Sequence, residues 1–326
     1  MNIHMNIHRK NDFIIIKIII IIINKMSMNY PIYKLRDWID ETKLDYVYLS
    51  ENEYAVDFLL RPENESKINW RRFSLNRNQK AVEYLLKPEN QSKINNEFFS
   101  SNPNYTAVEF LLKPENQYRI DYDYFSINSN PLAFKFLMRP ENKDKINYSF
   151  LSLNENSEAI QFLLRPLNQH YIDWYWLCSN PNKTAVEFLL KPKNRKHLKW
   201  SLLTINSNDK IVDLLFKNKD KLNYTNLNIN NNKKAIDYIK ENNYIINWTI
   251  FSKNTNPDVI EILKENYSEI NWTSLSINPN IFQLDYEKMI FNDRYKNFEE
   301  ELMKEIMKPS RVFKERDYDY LEVLFG

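Results

Sequence analysis

The chain repeats itself, and the repeat limits the fold more than any single motif does. Let position 1 be the isoleucine or leucine that opens each copy: Leu44, Ile68, Ile94, Ile120, Ile146, Ile172, Leu198, Leu222, Ile246 and Ile270. Neighbouring copies lie 24 residues apart once, 26 apart five times, then 24 apart three times. Periods of this size mark stacked supersecondary units.

The columns of the repeat read as two short helices. Position 2 is Asp or Asn in all copies but one, and its side chain can accept from the free N–H groups that open helix A. Position 3 is Trp or Tyr in all but one copy, and position 6 is Leu or Phe throughout. Asn holds position 9 in all ten copies, from Asn52 to Asn278, and position 11 in nine. The chain's one glycine is Gly326, its last residue. The position 9 Asn is therefore expected to supply the left-handed residue that ends helix A, a place usually given to glycine. The position 11 Asn is expected to cap helix B, which runs as "TAVEFLLK" and ends at prolines such as Pro114 and Pro192.

One copy cannot fold alone. Its roughly seven large apolar side chains contribute about 1.5–3 kcal/mol each when buried. Ordering its backbone costs on the order of 1–2 kcal/mol per residue. Each copy must cover the next, so the fold class is all-α: an α-solenoid of about ten two-helix repeats over residues 44–282. Helices packed roughly 8–10 Å apart would then give a curved rod near 100 Å long. Residues 29–43, which contain "YPIYKLRDWIDETK", read as an N-terminal capping helix, and 283–326 as a C-terminal helical cap.

Residues 1–28 form an apolar leader. "FIIIKIIIIII", Phe13 to Ile23, is 11 residues long and contains Lys17, so as a helix it would fall well short of a roughly 30 Å hydrocarbon core. It lacks a small-residue cleavage site, and the expected start is Met26 or Met28. A formal charge of +2 exerts no bulk pull toward nucleic acid or membrane. A single cysteine excludes an internal disulfide and suits the cytoplasm.

No motif of cofactor or catalytic chemistry emerges. Without glycine before the terminus a phosphate-cradling loop is excluded, so no cofactor is expected. Cys178 occupies position 7, where eight of the other nine copies carry Ser or Thr, and reads as a small packing residue. His170 and His197 end two neighbouring copies without a ligand cluster at metal spacing. The chain therefore reads as a non-enzymatic scaffold for a protein partner.

Its candidate surface is position 5 of helix A, where Tyr48, Phe98, Tyr124, Phe150 and Trp176 alternate with charged and small residues. A column that varies is freer to serve a partner than one with the same packing job in every rung. The bland reading is that these rings fill space between rungs. The alternative function is single-stranded RNA binding by a basic column: Arg61, Lys87, Lys113, Arg139, Arg165, Lys191 and Lys217. Against it, Asp57, Glu83, Glu109, Glu187 and Asp213 precede five of these by four residues, the favoured intrahelical pairing.

The pattern "INW–LS–NPN–AVEFLLKPEN", with "WIDETKLDYVYLSEN" at its front, resembles the Asn- and Ile-rich short helical-repeat proteins of giant DNA viruses of amoebae, of the mimivirus type. The resemblance covers residues 34 to about 282, and the closing "IMKPSRVFK" is similar too. It implies viral origin and a place in the host cytoplasm, and carries over no functional residues.

Overall fold

The computed structural model describes residues 31–285 and 287–288. The leader and nearly all of the expected C-terminal cap lie outside them. Two compact units are present. Leu35–Gln283 holds the repeats. The other, Met1–Lys34 with Leu284–Gly326, is described at a few residues, where the Asp285 N–H donates to the Ile32 carbonyl over 2.8 Å.

The repeat unit is an all-α solenoid. In the third rung helix A spans Asn96–Ser101, helix B spans Tyr105–Leu112, and a 3-10 turn covers Pro114–Arg119. The proline thus ends helix B and also begins the turn, at a first position that needs no N–H. Rungs two to six carry six-residue turns of this kind, whereas rungs seven to nine have three-residue turns without proline, such as Lys219–Lys221. That difference separates the 26-residue from the later 24-residue spacings. The Asn inside each long turn folds back on helix B, as when Asn116 Nδ2 donates to the Phe110 carbonyl over 3.0 Å.

The core lies between the helix A and helix B layers. Position 6, from Leu49 through Phe99 and Phe125 to Leu275, is fully buried, as are the Ala–Val pairs of helix B such as Ala107 and Val108. Position 2 caps helix A as expected: Asp121 Oδ1 accepts from the Tyr124 N–H over 3.0 Å. Among the described residues the cap is missing in the seventh rung, where Lys199 stands at position 2.

Position 9 departs from its expected role. No described residue has positive φ, and Asn102, at φ −70° and ψ 116°, is extended. Its amide instead sews rungs together. Asn102 Nδ2 donates to the Ser74 and Asn76 carbonyls of the preceding rung over 3.1 and 2.9 Å, while its Oδ1 accepts from the Asn104 N–H over 3.0 Å. Two donors and an acceptor are used in a fully buried setting, a set that glycine could not supply.

The ladder has no ends. Asn278 donates to Asn254, and Asn52 in the first rung donates to the Ser276 and Asn278 carbonyls of the last over 3.1 and 3.0 Å. The Asp45 N–H likewise donates to Ser276 Oγ over 2.8 Å, the position 2 to position 7 bond made between other neighbouring rungs. The repeat unit is therefore a closed ring of rungs, and the expected open rod is not formed.

Closure also replaces the expected N-terminal capping helix. Tyr33–Leu35 (β1) and Phe282–Leu284 (β2) pair as a two-stranded sheet, and Glu41–Lys43 is a 3-10 turn. The Arg36 N–H donates to the Ile281 carbonyl over 2.9 Å, and its Nε to the Asn280 carbonyl over 2.7 Å. The tenth rung has helix A (Trp272–Leu275), but a 3-10 turn (Pro279–Ile281) and β2 replace its helix B. Residues preceding the first rung finish the last one.

Candidate binding surface

The position 5 side chains Tyr48, Phe98, Tyr124, Phe150 and Trp176 are all half-buried. Phe98 meets Tyr124 at 5.9 Å between centroids, and Tyr124 meets Phe150 at 5.8 Å, so the rings form a line across successive rungs. In the second rung Arg72 takes the place of a ring, lying 4.3 Å over Tyr48 and pairing with Glu51 over 2.7 Å. Leu202, at the same position in the seventh rung, is buried. The column thus packs rung on rung and still presents one side to solvent.

A second surface arises from closure. A cavity of about 380 Å³ is lined by positions 8 and 10 of successive rungs, including Ile205, Ile229 and Ile277 at position 8 and Ser207, Asn231 and Thr255 at position 10. Its lining runs from Glu155 in the fifth rung to Ile277 in the tenth. One cavity can reach so many rungs at neighbouring columns only from the concave side. Position 5 lies one helical turn before position 8, and its side chains are not among those lining this cavity. Sequence reasoning missed this lining. Its signal, a column that is Leu or Ile in six copies beside an Asn present in all ten, has no reading until the ring is known to close.

The basic column is exposed at Lys87, Lys113, Arg139, Arg165, Lys191 and Lys217, and half-buried at Arg61. Several of its cations lie over rings of their own rung. Lys87 sits 5.3 Å from the Tyr84 centroid, Arg139 4.8 Å from Phe136 and Arg61 4.9 Å from Phe58. These stacks continue inward. In the second rung Tyr84 lies parallel to Trp70 at 5.9 Å, and Lys93 lies 4.2 Å from the Trp70 centroid and 5.6 Å from that of Tyr84. In the sixth, Lys191 lies over Phe188, Phe188 stacks on Trp174, and His197 stacks on Trp174 at 4.0 Å. His197 therefore holds the place that Lys93 holds in the second rung. His170 meets Tyr171 at 3.8 Å with the rings tilted.

At three of the five acidic positions along this column the ion pair runs between rungs. Asp57 reaches Lys80 over 2.8 Å, Glu187 reaches Lys210 over 3.5 Å, and Asp213 reaches Lys234 over 2.5 Å. Facing helices of neighbouring rungs bring these groups closer than the turn within one helix does.

Cys178 is fully buried, and its Sγ accepts from the Lys199 N–H over 3.3 Å, the bond that Ser100 Oγ makes with Asp121. Burial pushes the thiol up from its ordinary value, offset in part by the Lys199 N–H and charge. Among the described residues no group of three or more His, Cys, Asp or Glu is placed to hold a metal ion, and no helix is long and apolar enough to cross a membrane. No protein-family model, curated protein or solved structure matches the chain.

Proposed function

We propose that the chain is a non-enzymatic helical-repeat scaffold that binds a protein partner, acting in the cytoplasm of a host cell infected by a giant virus. The observation that carries this reading is the half-exposed line of position 5 rings, Phe98, Tyr124 and Phe150, across successive rungs. Rigid aromatic side chains bury large area at small entropic cost, which makes them the usual anchors of interfaces. The groups that could otherwise do chemistry are tied into the repeat: Cys178 accepts a rung-to-rung bond, and His197 packs flat on Trp174.

The test is affinity capture from infected cells with and without nuclease. Replacing Phe98, Tyr124 and Trp176 with Ser should abolish capture while the far-ultraviolet dichroism stays helical. Replacing Lys113, Arg139 and Arg165 with Gln should leave capture intact. Capture that is nuclease-sensitive and lost with the basic triple would transfer the function to RNA. Loss of helicity together with capture would return the rings to the core.

A further inference from the structure

The repeat departs from its own pattern most sharply at the junction of the sixth and seventh rungs, and the change is toward positive charge. Within "KPKNRKHLKW" Lys193 stands where the second to fourth rungs have Glu89, Glu115 and Glu141. Lys199 stands at position 2, where every other copy has Asp or Asn, and helix A of that rung loses its side-chain cap as a result. Nothing in the packing requires either change. Lys193, Arg195, Lys196 and Lys199 are exposed and make no ion pair among the described residues.

The cations border a depression. A shallow cavity of about 490 Å³ is lined by Lys196, His197 and Lys199 together with the aromatic residues Tyr171, Trp174 and Tyr175. Tyr175 is 48% exposed and touches Trp176 edge-on at 5.0 Å, which leaves its ring available to a planar ligand. Position 4, which it occupies, is Ser149 and Ser201 in the flanking rungs, so this ring is also a local departure. Asp173 borders the same space, but its Oδ1 is turned to the Tyr175 and Trp176 N–H groups at 3.0 and 3.3 Å.

We infer that this depression binds a free nucleoside phosphate, with the phosphates on Lys196 and Lys199 and the base against Tyr175. Two ammonium groups a few residues apart attract phosphoryl oxygens as point charges, and an exposed ring supplies a stacking face for any base. This reading does not rest on the protein-partner proposal, because it uses other side chains and another ligand class.

The repeat itself supplies variants that should not disturb the fold. Lys199→Asn restores the residue usual at position 2, Lys196→Ser reproduces Ser92, and Tyr175→Ser reproduces its neighbours in the column. Calorimetric titration of the full chain at physiological salt would use ATP, inorganic triphosphate, adenosine and a single-stranded oligonucleotide. The expected result is ATP binding that weakens roughly tenfold for each cation removed and falls further with Tyr175→Ser, while Lys199→Asn melts no lower than the parent. Equal binding of ATP by the parent and by Lys196→Ser/Lys199→Asn would overturn the site. So would absence of ATP binding to the parent. Triphosphate binding as tightly as ATP would overturn the base contact, and an oligonucleotide binding more tightly than ATP would overturn the small-ligand reading.

Discussion

At the scale of the residue, asparagine does the work of a bolt. Asn128 donates to the Ser100 and Asn102 carbonyls over 2.8 and 2.9 Å and accepts from the Asn130 N–H over 2.9 Å. Asn128→Ala would leave three buried backbone groups without partners, at about 1–3 kcal/mol for each that water cannot reach. The substitution should therefore cost more than the roughly 1 kcal/mol of a lost helix cap. Asn128→Gly decides between the two accounts of this column. A left-handed helix end would accept glycine with little loss, whereas a missing amide leaves Gly at least as damaging as Ala. Thermal melts of the two variants measure the difference, and a stable Asn128→Gly would refute the ladder. The sequence showed that the column mattered, since Asn stands there in every copy. Its chemistry was hidden because a terminal Asn and a cross-rung Asn leave the same mark on one strand of sequence; only the neighbouring rung's carbonyls tell them apart.

At the scale of the element, helix A and its caps were readable, because a cap is a contact between residues two or three apart, as in Asp121 with Tyr124. Partnerships between rungs were not, since sequence spacing within one helix competes with the unseen distance to the next. The acidic residues of helix B illustrate this. Asp57 precedes Arg61 by four residues, yet its ion pair is with Lys80, 23 residues on. A double-mutant cycle on Asp57→Asn and Lys80→Gln should give a coupling of about 0.2–1 kcal/mol, the range for partly exposed pairs. The matching cycle on Asp57 and Arg61→Gln should give a coupling indistinguishable from zero. The reverse order would restore the intrahelical pairing. The stacks of Lys93, Trp70 and Tyr84 were hidden too, although they lie within one rung. Spacing along the chain does not bring them together, because they come from helix A, helix B and the turn of that rung.

At the scale of the whole repeat unit, closure changes how stability is distributed. In an open stack each terminal rung has one neighbour, so it frays first and substitutions there cost less than the same substitutions in the middle. Here the first rung is bonded to the tenth as the middle rungs are to each other: Asn52 meets Ser276 and Asn278 much as Asn128 meets Ser100 and Asn102. The local signals of closure are slight. They amount to a tenth rung that stops after helix A and a segment around Arg36 that completes it, neither of which has a periodic signature. That is why the ring escaped a reading built on repeats, while the count and boundaries of the rungs did not. The ring predicts that Asn52→Ala destabilises by as much as Asn128→Ala, within the scatter of a few tenths of a kcal/mol expected between independent sites. It also predicts that backbone amides of the first and tenth rungs exchange with deuterium as slowly as those of the fourth and fifth. An Asn52→Ala variant that loses clearly less stability than Asn128→Ala, with fast exchange confined to the two outermost rungs, would mean that the seam opens in solution and that the solenoid behaves as a rod with free ends.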